Sequence, residues 1–341
     1  NEIKVWAYVL NFFLKSRIWK SKTKYSNNFQ IDFVVFASVL YDVGGHTECL
    51  KSLIKSLKKK YFFILYLSKK SLSIERAKEK YRDISENCLI DGINGDRGYF
   101  NSVMDLYLKI SIYKPKCAFV FIHPDDFVFC IVLNLLKLNF GTKIIFYNHA
   151  SHYPSLGFNC SDLILEGLPV TQYFTNKFRR INKTYLFGLQ SLEKKETYYL
   201  SEKEITDLKL KIGVRVDSLI TMSGGMSYKF FNQNHSEYFE MIKRILLKVP
   251  NLEHIVISQF TKEQLGIIDS IFKNSNVRNR LHFQKFISDF DSYFQCSDVF
   301  IDSFPISSAL TQVDLMRNKV PSVVKINNDN SLYTFHEYMP L

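Results

Sequence analysis

The stretch Ile31-Asp32-Phe33-Val34-Val35-Phe36-Ala37-Ser38-Val39, followed by Leu40-Tyr41-Asp42-Val43-Gly44-Gly45-His46-Thr47-Glu48, decides the fold. A short run rich in Val and Phe and bounded by a glycine turn reads as a strand buried on both faces, which a parallel sheet covered by helices provides. Gly44 and Gly45 allow positive φ and a close backbone approach, Thr47 is placed to cap a helix running to about Lys58, and His46 is aimed across at a ligand. Strand, glycine turn and helix together open a βαβ unit.

The alternation continues in both directions from that junction. Tyr61 to Leu67 reads as a strand, residues 74 to 86 as a charged helical stretch, 88 to 90 as a short hydrophobic piece and 98 to 112 as a helix. Cys117 to Ile122 is a buried strand, Asp125 or Asp126 caps a helix to Leu138, and Lys143 to Tyr147, Leu163 to Leu165 and Thr184 to Leu186 complete the first half. A polar connector from Ser191 to Lys211 interrupts the rhythm, which restarts with strands at 218 to 222, 254 to 258, 281 to 284, 299 to 302 and 322 to 325. Helices at 235 to 248, 261 to 273, 288 to 295 and 308 to 318 alternate with them. The expected fold class is α/β, with two Rossmann-like doubly wound domains facing a cleft, over residues 30–190 and 191–341, preceded by a basic amphipathic segment 1–29.

Of 341 residues 46% are hydrophobic and 23% charged, a globular mixture that excludes a disordered or fibrous chain. The net charge of +12 suggests anionic partners. Lys4, Lys15, Arg17, Lys20, Lys22 and Lys24 stand against Glu2 alone in residues 1–24, together with Trp6 and Trp19, so this segment is expected either to lie on an anionic membrane surface or to pack on the domain behind it. The remaining excess is diffuse, which argues against a nucleic-acid binder. The six cysteines show neither CxxC nor zinc spacing, so a reducing, cytoplasmic setting is expected, peripheral at the inner face of the membrane if the basic segment binds there. The longest apolar run, Phe127 to Leu133, is far short of the roughly 20 residues that span a bilayer.

In open parallel sheets ligands bind beyond the carboxyl ends of the strands, and that rule selects the chemistry. His46, His123, His149 and His152 all follow predicted strands of the first half and share one rim. In the second half, Thr221-Met222-Ser223-Gly224-Gly225-Met226-Ser227-Tyr228-Lys229 offers consecutive amides as a phosphate nest, with Lys229 as its point charge. The segment Asp302-Ser303-Phe304-Pro305-Ile306-Ser307-Ser308-Ala309-Leu310-Thr311-Gln312-Val313-Asp314 puts the hydroxyls of Ser307 and Ser308 at a helix N-terminus where a diphosphate can dock, with Asp314 about one turn on to accept ribose hydroxyls. Neither GxxxxGK[ST] nor GxGxxG occurs, so a P-loop kinase or a standard dinucleotide site is not expected.

The two Rossmann-like halves, the Gly44-Gly45-His46-Thr47 loop and the spacing Asp302-x-Phe304-Pro305 … Thr311-x-x-Asp314 … Pro321 resemble the GT-B glycosyltransferases. The C-terminal half is most similar to the O-GlcNAc transferase and bacterial adhesin N-glucosyltransferase group, where a lysine after the first strand of that domain and a helix ending in Val-Pro-Asn recur; Lys229 and Val249-Pro250-Asn251 match. The segment Asn148 to Gly157, followed by Asp162, resembles a first-domain loop of the same group.

That resemblance implies a metal-independent hexosyltransferase without cofactor. It would use a nucleotide diphosphate sugar, UDP-linked by preference, as co-substrate and a glycan or protein as acceptor, in bacterial surface glycoconjugate synthesis. It assigns residues 30–190 to the acceptor and 191–341 to the donor, with Thr311 on phosphate and Asp314 on ribose. Lys229, Gly224, Gly225, Ser307 and Ser308 would hold the diphosphate, and Gly44 and Gly45 would approach the donor from the other side. His46 is the expected base of an inverting reaction, with His149 the second candidate; in a retaining route His46 would bind donor instead. The chain departs from the pattern where Ile306 stands in place of the first Glu of a Glu-x7-Glu pair and Leu310 in place of a hydroxyl residue. A GT-B-like nucleotide sugar epimerase and a non-catalytic partner subunit remain as alternatives.

Overall fold

A computed structural model describes residues 4, 31, 33–38, 40, 45–58, 63–67, 78–79, 88–93, 98–150, 153–188, 198–233, 235–285, 287 and 289–325. Gly44, His152, most of the basic segment 1–29 and most of the stretch 74–86 lie outside them. The chain divides into two compact units, Asn1–Glu193 and Lys194–Leu341.

Among the described residues the first unit comprises strands β1 (Phe33–Ala37), β2 (Phe63–Leu67), β3 (Cys88–Gly92), β4 (Cys117–Phe121), β5 (Lys143–Asn148), β6 (Leu163–Glu166) and β7 (Thr184–Leu186). Its helices are α1 (Gly45–Lys58), α2 (Gly98–Ser111), α3 (Phe127–Phe140) and α4 (Pro169–Lys177). The strands form one parallel sheet in the order β3-β2-β1-β4-β5-β6-β7, so the direction of winding reverses between β1 and β4. Val34 and Phe36 of β1, Val120 of β4 and Ile131 and Leu135 of α3 are buried in one core, each contributing roughly 1.5–3 kcal/mol of hydrophobic stabilisation. Helix α3 is apolar almost all round because it is almost entirely buried. Asp126 caps it by accepting the Phe129 amide at 3.2 Å, and Gly141, at φ 68°, closes it in the left-handed conformation that glycine adopts without strain.

The second unit runs α5 (Glu202–Ile212), β8 (Leu219–Gly224), α6 (Glu237–Lys248), β9 (Leu252–Ile257), α7 (Lys262–Phe272), β10 (Leu281–Gln284), α8 (Phe290–Gln295), β11 (Val299–Ile301), α9 (Ala309–Arg317) and β12 (Ser322–Val323). Its parallel sheet has the order β10-β9-β8-β11-β12, again reversing between the first strand and the fourth. Both units are therefore Rossmann-like doubly wound sheets.

Two local expectations change. Helix α1 starts at Gly45, so Thr47 is not its cap but a buried residue of the first turn. The polar connector ends in a real helix, α5, because Ser201 and Glu204 form a reciprocal capping box and Gly213, at φ 89°, closes the far end.

Candidate functional site

Each sheet offers a crevice at its carboxyl edge where the winding reverses, between β1 and β4 in the first unit and between β8 and β11 in the second. The first is bridged by His46. From the first turn of α1 its Nε2–H donates to the Phe121 carbonyl at the end of β4, at 2.9 Å, which leaves Nδ1 as the acceptor nitrogen of a neutral ring. Burial pushes the His46 pKa down to about 4; the Phe121 carbonyl opposes the shift and nearby His123 adds to it. His149, just past β5, brings its ring to 4.2 Å from that of His46, centroid to centroid, at 59°. The residue before it, Asn148, is fixed by Nδ2–H donation to both oxygens of the buried Glu166 at 3.0 Å, and Thr175 donates to the same carboxylate at 2.6 Å. Burial raises the Glu166 pKa against these bonds. His123, in the loop after β4, is half-buried beside the exposed Asp125, 3.3 Å away. Asp126 accepts a short hydrogen bond from Ser38, whose hydroxyl in turn accepts the His123 amide at 2.7 Å.

The second crevice is bridged by Lys229. From the turn after β8 its ammonium donates to Ser307 O at 3.3 Å and Ser308 Oγ at 3.1 Å in the loop after β11. Gly225 makes room for this: a Cβ there would stand 3.3 Å from Lys229 Cδ and 3.5 Å from Ser308 Oγ. A Cβ on Gly224 would stand 3.1 Å from the Phe290 ring. Ser308 occupies the N-cap position of α9 without capping it, its hydroxyl lying instead by Lys229 and Gly224 O. Beneath the loop is the buried Asp302, which accepts the Ser303 amide at 2.9 Å, the Ser308 amide at 3.2 Å and a short bond from the Ser307 hydroxyl. Burial raises the Asp302 pKa to about 6 despite those bonds and the attraction of Lys229; burial likewise lowers that of Lys229, with Asp302 opposing. An ammonium, a hydroxyl and a helix N-terminus in one place suit the oxygens of a diphosphate.

The structure thus brings His46 to His149, and Gly224 and Gly225 to Lys229, Ser307 and Ser308. Thr311 and Asp314 lie further along α9, both half-buried, and Asp314 Oδ1 takes Arg317 at 3.1 Å. Asp162 sits at the start of β6, away from the carboxyl edge, where it binds Lys137 at 2.8 Å and the Ile144 amide at 2.9 Å; its role is structural. Among the described residues no three His, Cys, Asp or Glu side chains converge to hold a metal ion, and no helix is long and apolar enough to cross a membrane.

One feature of the second unit was invisible in the sequence. The fully buried His254 of β9 meets Thr221 Oγ1 at 2.8 Å and Tyr238 OH at 2.9 Å. Ser223, which binds the same Tyr238 hydroxyl, donates to Ile301 O at 2.6 Å. This group ties β8, β9 and β11 together directly under Gly224 and Asp302. Its only sequence sign is His254 itself, which follows Glu253 at the head of the apolar run Ile255-Val256-Ile257.

No protein-family model matches this chain, and no curated protein matches it. Solved structures do. HepE from Anabaena, in complex with UDP and glucose, superposes with a TM-score of 0.65 at 12% identity over 86% of this chain and 80% of that one. A glycosyltransferase from Rickettsia africae gives 0.63 at 11% identity over 87% and 79%. The UDP-GlcNAc 2-epimerase of Neisseria meningitidis, bound to UDP-GlcNAc, gives 0.54 at 12% identity over 88% and 84%. An O-GlcNAc transferase mutant from Thermobaculum terrenum is also similar, at a TM-score of 0.51 and over 53% of its own length, so the narrower resemblance to that group is no stronger than the one to the epimerases. At these identities the likeness establishes the two-domain Rossmann-like GT-B fold.

Proposed function

We propose that the chain is a glycosyltransferase that moves a sugar from a nucleotide diphosphate sugar, UDP-linked by preference, to a glycan or protein acceptor. The observation that carries this is Lys229 reaching across the β8–β11 reversal to Ser307 and Ser308, a cationic, hydroxyl-lined crevice at the place where doubly wound sheets bind phosphates. The UDP in HepE and the UDP-GlcNAc in the Neisseria epimerase support a nucleotide-sugar ligand on this fold.

In this reading the donor diphosphate lies against Lys229, Ser307, Ser308 and the N-terminus of α9, Thr311 adds a phosphate contact and Asp314 accepts ribose hydroxyls. The acceptor oxygen or nitrogen attacks the anomeric carbon, the bond from that carbon to the diphosphate oxygen breaks with its electron pair, and the leaving diphosphate is stabilised by Lys229. The acceptor proton passes to His46, whose bond to Phe121 O keeps its Nδ1, buried in this structure, in the accepting tautomer. A pKa near 4 keeps that nitrogen unprotonated at neutral pH and makes it a weak base, which takes the proton only as the attacking acceptor atom becomes acidic in forming its new bond. His149 would steady the ring through their contact.

A panel of UDP- and GDP-sugars in thermal-shift measurements tests the reading. One UDP-sugar at 100 times its Kd should stabilise the chain by about 2.7 kcal/mol, and no shift with any nucleotide would remove the assignment. The epimerases among the similar structures favour a second reading, in which the bound sugar nucleotide is epimerised with no acceptor. Product analysis in the absence of acceptor separates them: an epimerised sugar nucleotide would establish the second reading.

A further inference from the structure

We infer that Ser223 and Tyr238 are positioning residues of the diphosphate site and set the gap between β8 and β11 across which the diphosphate is held, an inference that rests on the donor reading above. The sheet register shows where such a device is needed. Strand β8 stays paired with β9 as far as Gly224 and Ile257, but its ladder with β11 ends at Met222 and Phe300. One residue further on, where the crevice opens, the Ser223 hydroxyl takes over and donates to Ile301 O at 2.6 Å. The next residue on each side belongs to the candidate site. Gly224 follows Ser223, and Ile301 is followed by Asp302, which accepts the Ser303 and Ser308 amides at 2.9 and 3.2 Å.

The protons available fix the direction of the bonds behind Ser223. Thr221, His254, Tyr238 and Ser223 are all buried, and burial pushes the His254 pKa down to about 3. At neutral pH each of the four therefore has one proton to donate. Four contacts in series use them: Thr221 Oγ1 with His254 Nδ1 at 2.8 Å, His254 Nε2 with Tyr238 OH at 2.9 Å, Tyr238 OH with Ser223 Oγ, and Ser223 Oγ with Ile301 O. The last acceptor is a carbonyl, so Ser223 donates to it. Tyr238 then donates to Ser223, His254 Nε2–H to Tyr238, and Thr221 to Nδ1; no other assignment fills all four contacts. With Nε2 protonated, the His254 ring, 3.3 Å from Ser223 Oγ, cannot draw the serine's proton away from Ile301 O.

Packing and positioning are separable in Tyr238. Its ring lies 4.9 Å from that of Phe230, 5.2 Å from Phe239 and 5.4 Å from Phe304, contacts that a phenylalanine would keep. Only the hydroxyl orders the protons of the chain. Without it, His254 can turn its unprotonated nitrogen to Ser223, and the Ile301 carbonyl loses its donor.

Calorimetric titration of the full chain and its variants with UDP and with uridine tests this. Ser223→Ala should weaken UDP binding about ten-fold, and Tyr238→Phe about three-fold, with uridine affinity unchanged in both, because only the diphosphate is gripped from both sides of the gap. Tyr238→Phe keeps the test decisive should Ser223→Ala fail to fold. Ile242→Val, in the same core and one turn further along α6, loses packing alone and should keep the parent's ratio of UDP to uridine affinity. The parent's ratio persisting in Ser223→Ala and Tyr238→Phe overturns the inference and leaves the donor reading standing. An equal fall of the ratio in Ile242→Val also overturns it, since the loss would then follow stability. A parent chain that binds UDP no more tightly than uridine overturns the donor reading itself, and this inference with it.

Discussion

The two reversal points share one topology and differ in their chemistry. Between β1 and β4 the crevice is bridged by an imidazole that burial keeps neutral; between β8 and β11 it is bridged by an ammonium over a buried carboxylate. A neutral ring with an accepting nitrogen can take a proton but adds little to the hold on an anion. A lysine with hydroxyls and helix amides can hold an anion but is a poor base at neutral pH. The difference teaches that the same Rossmann-like frame sets where a ligand sits, whereas the first residues of the following turn and helix set what it does there.

Four experiments would break or sharpen that contrast. Lys229→Ala should cost most, weakening UDP-sugar affinity on the order of 10²-fold or more by removing a charged donor to phosphate; affinity within a few-fold of the parent in calorimetry would move the anion site elsewhere. His46→Ala should lower kcat on the order of 10²-fold while leaving donor affinity nearly intact, so its signature is the reverse of the lysine's; unchanged turnover would remove His46 as the base. Asp314→Ala should weaken nucleotide binding by about ten-fold, the loss of hydrogen bonds from ribose to a charged acceptor, and an unchanged Kd would count against that contact.

The smallest effect is on stability against pH. The His46 pKa is lowered in the folded chain, so the unfolded state binds the proton more tightly, and its contribution is lost as pH falls from about 6.5 toward 4. Asp302 has the opposite sign: its raised pKa means that the folded state binds the proton more tightly, so stability is gained as pH falls through about 6 toward the ordinary carboxylate value. His46→Gln should therefore flatten the acid loss seen by denaturant titration, and Asp302→Asn should steepen it. Each change is bounded by a slope of about 1.4 kcal/mol per pH unit. Identical profiles in the two variants would dissolve the contrast.

The fold was legible because strands buried on both faces have to be apolar throughout, and Phe33 to Ala37, Phe63 to Leu67 and Cys117 to Phe121 are so. Helix α5 was hidden by its solvated surface, which leaves mainly Ile212 buried, although its capping-box spacing Ser201-x-x-Glu204 was there to be found. At the site, the carboxyl-edge rule picked out His46, His149 and Lys229. It could not show that Lys229 meets Ser308 from 79 positions away, that Asp302 supports both serines from below, or that His46 turns to the carbonyl of Phe121. Those pairings are made by strand order, which brings β8 beside β11 and β1 beside β4 and leaves no local trace in the chain. The Thr221–His254–Tyr238 group is hidden for the same reason.

The central claim, that the reversal point of the second sheet holds the diphosphate of a nucleotide sugar, is tested most directly by titrating the full chain calorimetrically with UDP and with uridine. Binding of UDP at least about 100-fold tighter than uridine, with the gap closed in Lys229→Ala, is the result predicted. Equal affinity for the two, or a gap that survives the loss of Lys229, would contradict it.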